Sequence, residues 1–237
     1  MSGDARSGTT SDLIDWFGEA SESTGGPVAS GDSMMVPMVD DAFPTMALGK
    51  FLDALQLREA PVLLDLGSAV GSNVTFWGEK IGGKVFIEDL FADLDQLAME
   101  HASGKDRDAS LQATVVSRIT QETDSVDGVL CWDTIEHLTA PVARALAAGL
   151  ARVLRPGGGV LLTSFGTKQR HIPGHRRYEI VSRSEMGYRF EAGASRQLRV
   201  LQSREVIQMF RELTVAESFL LKTHTREMIF RKPTRPS

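Results

Sequence analysis

One cysteine, Cys131, is present in 237 residues. An internal disulfide is therefore excluded, and a lone thiol fits a reducing compartment. Long hydrophobic runs are missing too, and no apolar stretch approaches the ~20 residues that span a bilayer. Met1-Ser2-Gly3-Asp4-Ala5-Arg6 lacks the basic start and apolar core of a secretory leader, so a cytoplasmic protein without membrane attachment is expected. No internal repeat is visible. A surplus of positive charge is absent as well: the net charge is −5, which argues against nucleic acid as a general partner.

What is there is ordinary for a soluble globular chain: 42% apolar and 24% charged residues, enough for one α/β domain with a sizeable core. The charge is unevenly spread. Residues 1–165 hold 24 acidic against 11 basic residues, and residues 166–237 hold 7 against 15. A basic C-terminal third leaves room for an anionic substrate; arginines coating an exposed surface is the plainer reading.

Val62-Leu63-Leu64-Asp65-Leu66-Gly67-Ser68-Ala69-Val70-Gly71-Ser72-Asn73 organises the rest. An apolar strand runs into a glycine turn and then a helix, as in a parallel sheet covered on both faces. Gly67 and Gly71 permit torsions and close approaches that a Cβ would block. Ser72 or Asn73 can cap the helix, whose free N–H groups then face a ligand. Such a loop grips the polar end of a nucleotide-like molecule.

Upstream, residues 1–43 read as a flexible extension, with Ser11 to Ala20 as an amphipathic helix: a lid, a docking peptide or a helix packed on the domain. From 44 onward strand and helix alternate. A helix follows Pro44, with Met46, Leu48, Phe51, Leu52 and Leu55 on its apolar face. Strands are expected at 62–66, 84–90, 111–119, 126–133 and 159–165, and helices at 73–80, 91–102 and from Pro141 to Leu154. Residues 103–108 read as a polar loop, Arg155-Pro156-Gly157-Gly158 as a turn, and 166–200 as a long polar segment. A helix at 203–213 and a hairpin of 214–221 with 227–230 close the chain.

Asp-x-Gly-x-x-x-Gly after an apolar strand, the acids Glu88 and Asp89 ending the second strand, Leu130-Cys131-Trp132-Asp133 ending the fourth, and Leu154-Arg155-Pro156-Gly157-Gly158 before the fifth stand in one order. That set resembles the class I S-adenosyl-L-methionine (SAM)-dependent methyltransferases over residues 44–165, with Ala69 replacing the family's middle glycine. The resemblance implies a doubly wound, Rossmann-like, seven-stranded mixed sheet with an antiparallel C-terminal hairpin, SAM as cofactor, and methyl transfer to an acceptor, expected to be a small molecule. A nicotinamide-nucleotide oxidoreductase and a methyltransferase-like binding protein without turnover are the alternatives.

In the cofactor site so implied, Gly67, Ser68 and Gly71 offer backbone contacts, and Asp65 orients the loop or reaches the cofactor's amino group through water. Glu88 or Asp89 holds the ribose hydroxyls, a bidentate task suited to a carboxylate, while the other acid caps the next helix. Trp132 and Asp133 face the crevice at the end of the central strand, with Trp132 as a core residue the alternative. Many relatives bind the adenine amine with an Asp after the third strand. Ser117-Arg118-Ile119-Thr120-Gln121 has no acid, which leaves the backbone of Ile119 or Thr120 for adenine.

His137 is the candidate catalytic base for a hydroxyl acceptor; a histidine packed at a helix start is the plainer reading. His171 and His175 have a metal-ligand spacing on a helix, but Ile172-Pro173-Gly174 forbids the helix. Arg176, Arg177 and Tyr178 are suited to an acidic substrate, or to a solvated loop.

Overall fold

The computed structural model describes residues 41–100, 105–164, 171–222 and 224–234. The helix expected at 11–20 lies outside them. Six described strands form the main sheet: β2 (Val62–Asp65), β3 (Lys84–Ile87), β4 (Val126–Trp132), β5 (Leu154–Ser164), β8 (Thr214–Leu220) and β9 (Arg226–Arg231). Their order is β3-β2-β4-β5-β9-β8, with the first four parallel and the β8/β9 hairpin antiparallel. The expected C-terminal hairpin is therefore present.

Alternation along the strands builds two cores, as the two-residue period of a strand requires. Leu64, Val129, Cys131, Val160 and Leu162 face one side, against α3 (Leu90–Glu100), α4 (Lys105–Arg118), α5 (Ala140–Val153) and α6 (Ser203–Met209). Leu63, Leu130, Trp132 and Leu161 face the other, against α1 (Ala47–Gln56) and α2 (Gly71–Lys80). Pro141 sits in the first turn of α5, where its missing N–H costs nothing.

Several expectations need correction. Residues 111–119 are not a strand: α4 covers 105–118, so the sheet has six described strands where seven were expected. Leu111, Val115 and Ile119 are buried while Val116 is half exposed, a helical spacing that overrides the β-branched composition. The loop expected at 103–108 is, from Lys105, the first turn of this helix. Met46 lies outside the apolar face of α1 and is exposed. The Pro156-Gly157 turn is absorbed into β5 as an irregularity, with Gly157 at φ 81°.

The largest difference lies in 166–200. β6 (His171–Ser182) and β7 (Glu185–Gln197) form a long antiparallel hairpin, and β1 (Asp41–Pro44) adds a third strand to it. β1 spans the boundary expected between 43 and 44. The hairpin was unreadable because its buried positions include His175, Arg176 and Glu179, so no apolar alternation marks it.

Candidate functional site

β2 ends at Asp65, which is buried and accepts hydrogen bonds at Oδ1 from Gly67 N (2.9 Å) and Trp132 Nε1 (2.6 Å). Burial pushes its carboxyl up to about 6, against the lowering effect of those two donors. Gly67 has no room for a side chain, because a Cβ would lie 2.7 Å from Trp132 Nε1. At Gly71 nothing lies within 4 Å of a Cβ position, so this side of the loop is open to a ligand. Gly71 begins α2 after Val70, and neither Ser72 nor Asn73 is the cap. Both instead bind the β6 strand: Ser72 Oγ donates to Glu179 (2.6 Å), while Asn73 donates to Tyr178 O (3.0 Å) and accepts from Ile180 N (2.8 Å).

Asp89 and Glu88 are separated by role. Asp89 Oδ1 accepts from Phe91 N at 2.9 Å, a cap on α3. Glu88 is buried beside the glycine loop, its N–H bonded to Asp65 O at 2.8 Å. Burial raises its carboxyl, with the Arg118 charge and the Gln121 amide opposing. Ile119 has both backbone groups engaged, its N–H by Val116 O and its carbonyl by Arg152 (2.7 Å), while Thr120 is exposed.

At the end of β4, Trp132 sits at φ 46°, a left-handed torsion that costs a bulky residue about 1–3 kcal/mol. Its indole is buried and stacks on Tyr178, centroids 4.8 Å apart and 7° from parallel. It therefore bridges the glycine loop to the hairpin and does not line an open crevice. Asp133 is fully buried, with Arg176 Nη1 at 2.6 Å and His137 Nε2 at 3.7 Å. Burial pushes Asp133 up, but His137 and the Arg176 guanidinium outweigh it and hold the carboxyl below its ordinary value. His137 lies in a 3₁₀ turn (Thr134–His137), its buried ring edge-on to Phe91 at 5.0 Å.

The hairpin carries His175, Arg176, Arg177 and Tyr178 to the glycine loop and the end of β4. His175 stacks on Phe91 at 4.4 Å and lies 3.3 Å from Ser68 Oγ. The Arg176 guanidinium sits over the rings of Tyr188 (5.3 Å) and Phe190 (5.6 Å). Arg177 donates to the Ala69 carbonyl. Asp65, Gly67, Ser68, Gly71, Glu88, Trp132, Asp133 and His137 thus gather where β2, β3 and β4 end, under a polar hairpin. Asp89 faces a helix start, and Ile119 a structural clamp. The contacts of Asn73 with β6 and of Gln121 with Glu88 have no local sequence signal, since the partners lie 105 and 33 residues apart.

This donor set suits a cofactor with a ribose and a polar tail: a buried carboxylate for vicinal hydroxyls and an open side at Gly71. Residues 63–158 match the methyltransferase domain family. Phosphoethanolamine N-methyltransferase of Triticum aestivum is 27% identical over 116 residues, 49% of this chain and 23% of that protein. The enzyme of the same name from Plasmodium falciparum is 25% identical over 119 residues, 50% of this chain and 44% of that one. The chain thus spans less than half the length of these curated relatives. Among solved structures, the Burkholderia thailandensis 1,6-didemethyltoxoflavin-N1-methyltransferase aligns with 79% of this chain and 77% of its own, at 20% identity and a TM-score of 0.48.

Proposed function

We propose, from the premise that residues 63–158 form a class I SAM-dependent methyltransferase domain, that the chain methylates a small molecule held between the end of β4 and the β6/β7 hairpin. The observation that carries this reading is the burial of Asp133, His137 and Arg176 in one cluster beside the glycine loop. When bound, the cofactor supplies an electrophilic methyl group on a sulfonium sulfur. Glu88 would hold its ribose, and the backbone of Gly67, Ser68 and Gly71 its polar end.

The protein's own task is orientation and water exclusion, since in-line transfer needs geometry above all. His137 takes the proton from an acceptor hydroxyl or ammonium at a ring nitrogen, and Asp133 stabilises the imidazolium so formed from 3.7 Å. Arg176 neutralises Asp133 and offers positive charge to an anionic acceptor. Phosphoethanolamine combines an amine and an anion and is the first acceptor to try, given the names of the relatives.

The test uses SAM labelled in its methyl group against a panel of small amines and alcohols with and without phosphate. Label transfer to at least one acceptor, reduced about 100-fold or more in kcat by His137→Ala, is the expected result. Transfer undiminished in that variant would remove His137 from the chemistry.

A further inference from the structure

The adenine end of the cofactor is where this chain departs most from its family, with no acid from Ser117 to Gln121. The region does bury one polar side chain. Gln121 is 7% exposed, and its backbone is pinned: Arg152 donates to the carbonyls of Ile119 (2.7 Å) and Gln121 (2.9 Å). Its Nε2 lies 3.5 Å from Glu88 Oε1. An ionised carboxylate only accepts, so it draws the NH2 end of the amide and turns the carbonyl end away. That carbonyl oxygen, Oε1, is buried with no hydrogen-bond partner among the described residues. Burying an amide oxygen without a donor is costly, and in a site region it marks where a ligand donor belongs.

The position fits. Glu88 is tied to the glycine-loop strand through its N–H to Asp65 O at 2.8 Å, so the Glu88–Gln121 pair stands beside the loop. Of the two backbone candidates, Ile119 is already committed to Arg152 and Val116, and Thr120 is exposed.

We propose that Gln121 reads the nucleobase of the cofactor, its Oε1 accepting an N–H of the adenine amine while its Nε2 orients Glu88 for the ribose. The inference rests on the reading of this chain as a SAM-binding protein. A neutral amide here replaces the family's carboxylate: next to Glu88 a second buried acid would add like-charge repulsion. Because Oε1 only accepts, a base bearing a carbonyl in place of the amine sets oxygen against oxygen. The site should therefore reject it.

The experiment is calorimetric titration of the full chain with S-adenosylhomocysteine and with S-inosylhomocysteine, whose hypoxanthine lacks the amine. Wild type is expected to prefer the adenosyl compound by about 10- to 100-fold, the effect of one buried polar mismatch. In Gln121→Leu and Gln121→Met, which keep the bulk and lose the acceptor, the preference should fall within about threefold. A ratio within one protein cancels any general loosening of the fold. Variants that keep the wild-type ratio, or a wild type that does not discriminate, would overturn the assignment of Gln121. A wild type that binds neither compound overturns it together with the cofactor reading beneath it.

Discussion

Asp65 holds the most telling ionisation in the site, with its carboxyl pushed up to about 6 by burial. In the unfolded chain it returns to about 3.9, so between those values the folded protein binds the extra proton. This group therefore destabilises the fold fully above pH 6 and loses that effect as pH falls toward 4. A shift of two units corresponds to about 3 kcal/mol. Asp65→Asn keeps an acceptor at Oδ1 for Trp132 and Gly67 without titrating. Urea unfolding from pH 7 to pH 4 should show wild type gaining up to about 3 kcal/mol relative to the variant. A pH-independent difference would mean that Asp65 titrates as an exposed carboxylate does. Asp133 behaves oppositely, since its lowered carboxyl contributes stability that is lost as pH falls. Its partner Arg176 cannot be spared: Arg176→Ala leaves a buried charge unpaired and should cost about 3–5 kcal/mol at neutral pH by chemical denaturation.

Among the elements, the β6/β7 hairpin departs furthest from expectation and does the most to close the site. Its docking to the glycine loop runs through side chains of Ser68, Ser72 and Asn73 and the carbonyl of Ala69. The Asn73 amide gives β6 one donor and one acceptor, as a neighbouring strand would. Asn73→Ala should speed amide exchange across residues 175–181 by about tenfold or more, from loss of two buried hydrogen bonds, with β4 unchanged. Equal acceleration throughout the sheet would instead mark Asn73 as a residue of global stability. The apolar strands β2, β4 and β5 were legible because both of their faces are buried. The hairpin is not, because polar groups, His175, Arg176 and Glu179, occupy its buried positions. α4 runs against its local propensity: Val115 and Val116 favour a strand, whereas Leu111, Val115 and Ile119 pack at helical spacing.

At the scale of the whole molecule, the doubly wound architecture, its closing antiparallel hairpin and the position of the glycine loop are legible in the order of motifs, each of them local, whereas the strand order β3-β2-β4-β5-β9-β8 is read from the structure. Glu88 and Asp89 could not be told apart from sequence, since a one-residue shift in where β3 ends decides which is free. The structure ends β3 at Ile87 and spends Asp89 on the α3 cap. The separation of Asp133 from Arg176 by 43 residues hid the buried pair from any local reading. Cofactor that binds only the folded chain must also stabilise it. At a ligand concentration of 100 Kd the gain is about 2.7 kcal/mol, or roughly 5–10 °C in Tm for a chain of this size. An unchanged melting curve at saturating S-adenosylhomocysteine would contradict that linkage.

The most direct measurement is a calorimetric titration of the purified protein with S-adenosylhomocysteine, repeated in Glu88→Ala and Asp89→Ala. Binding should be micromolar in wild type and at least about tenfold weaker in Glu88→Ala, which removes charge-assisted hydrogen bonds. Asp89→Ala should bind nearly as wild type and lose about 1 kcal/mol of stability with its helix cap. No heat of binding in wild type, or equal affinity in wild type and Glu88→Ala, would contradict the account of the site.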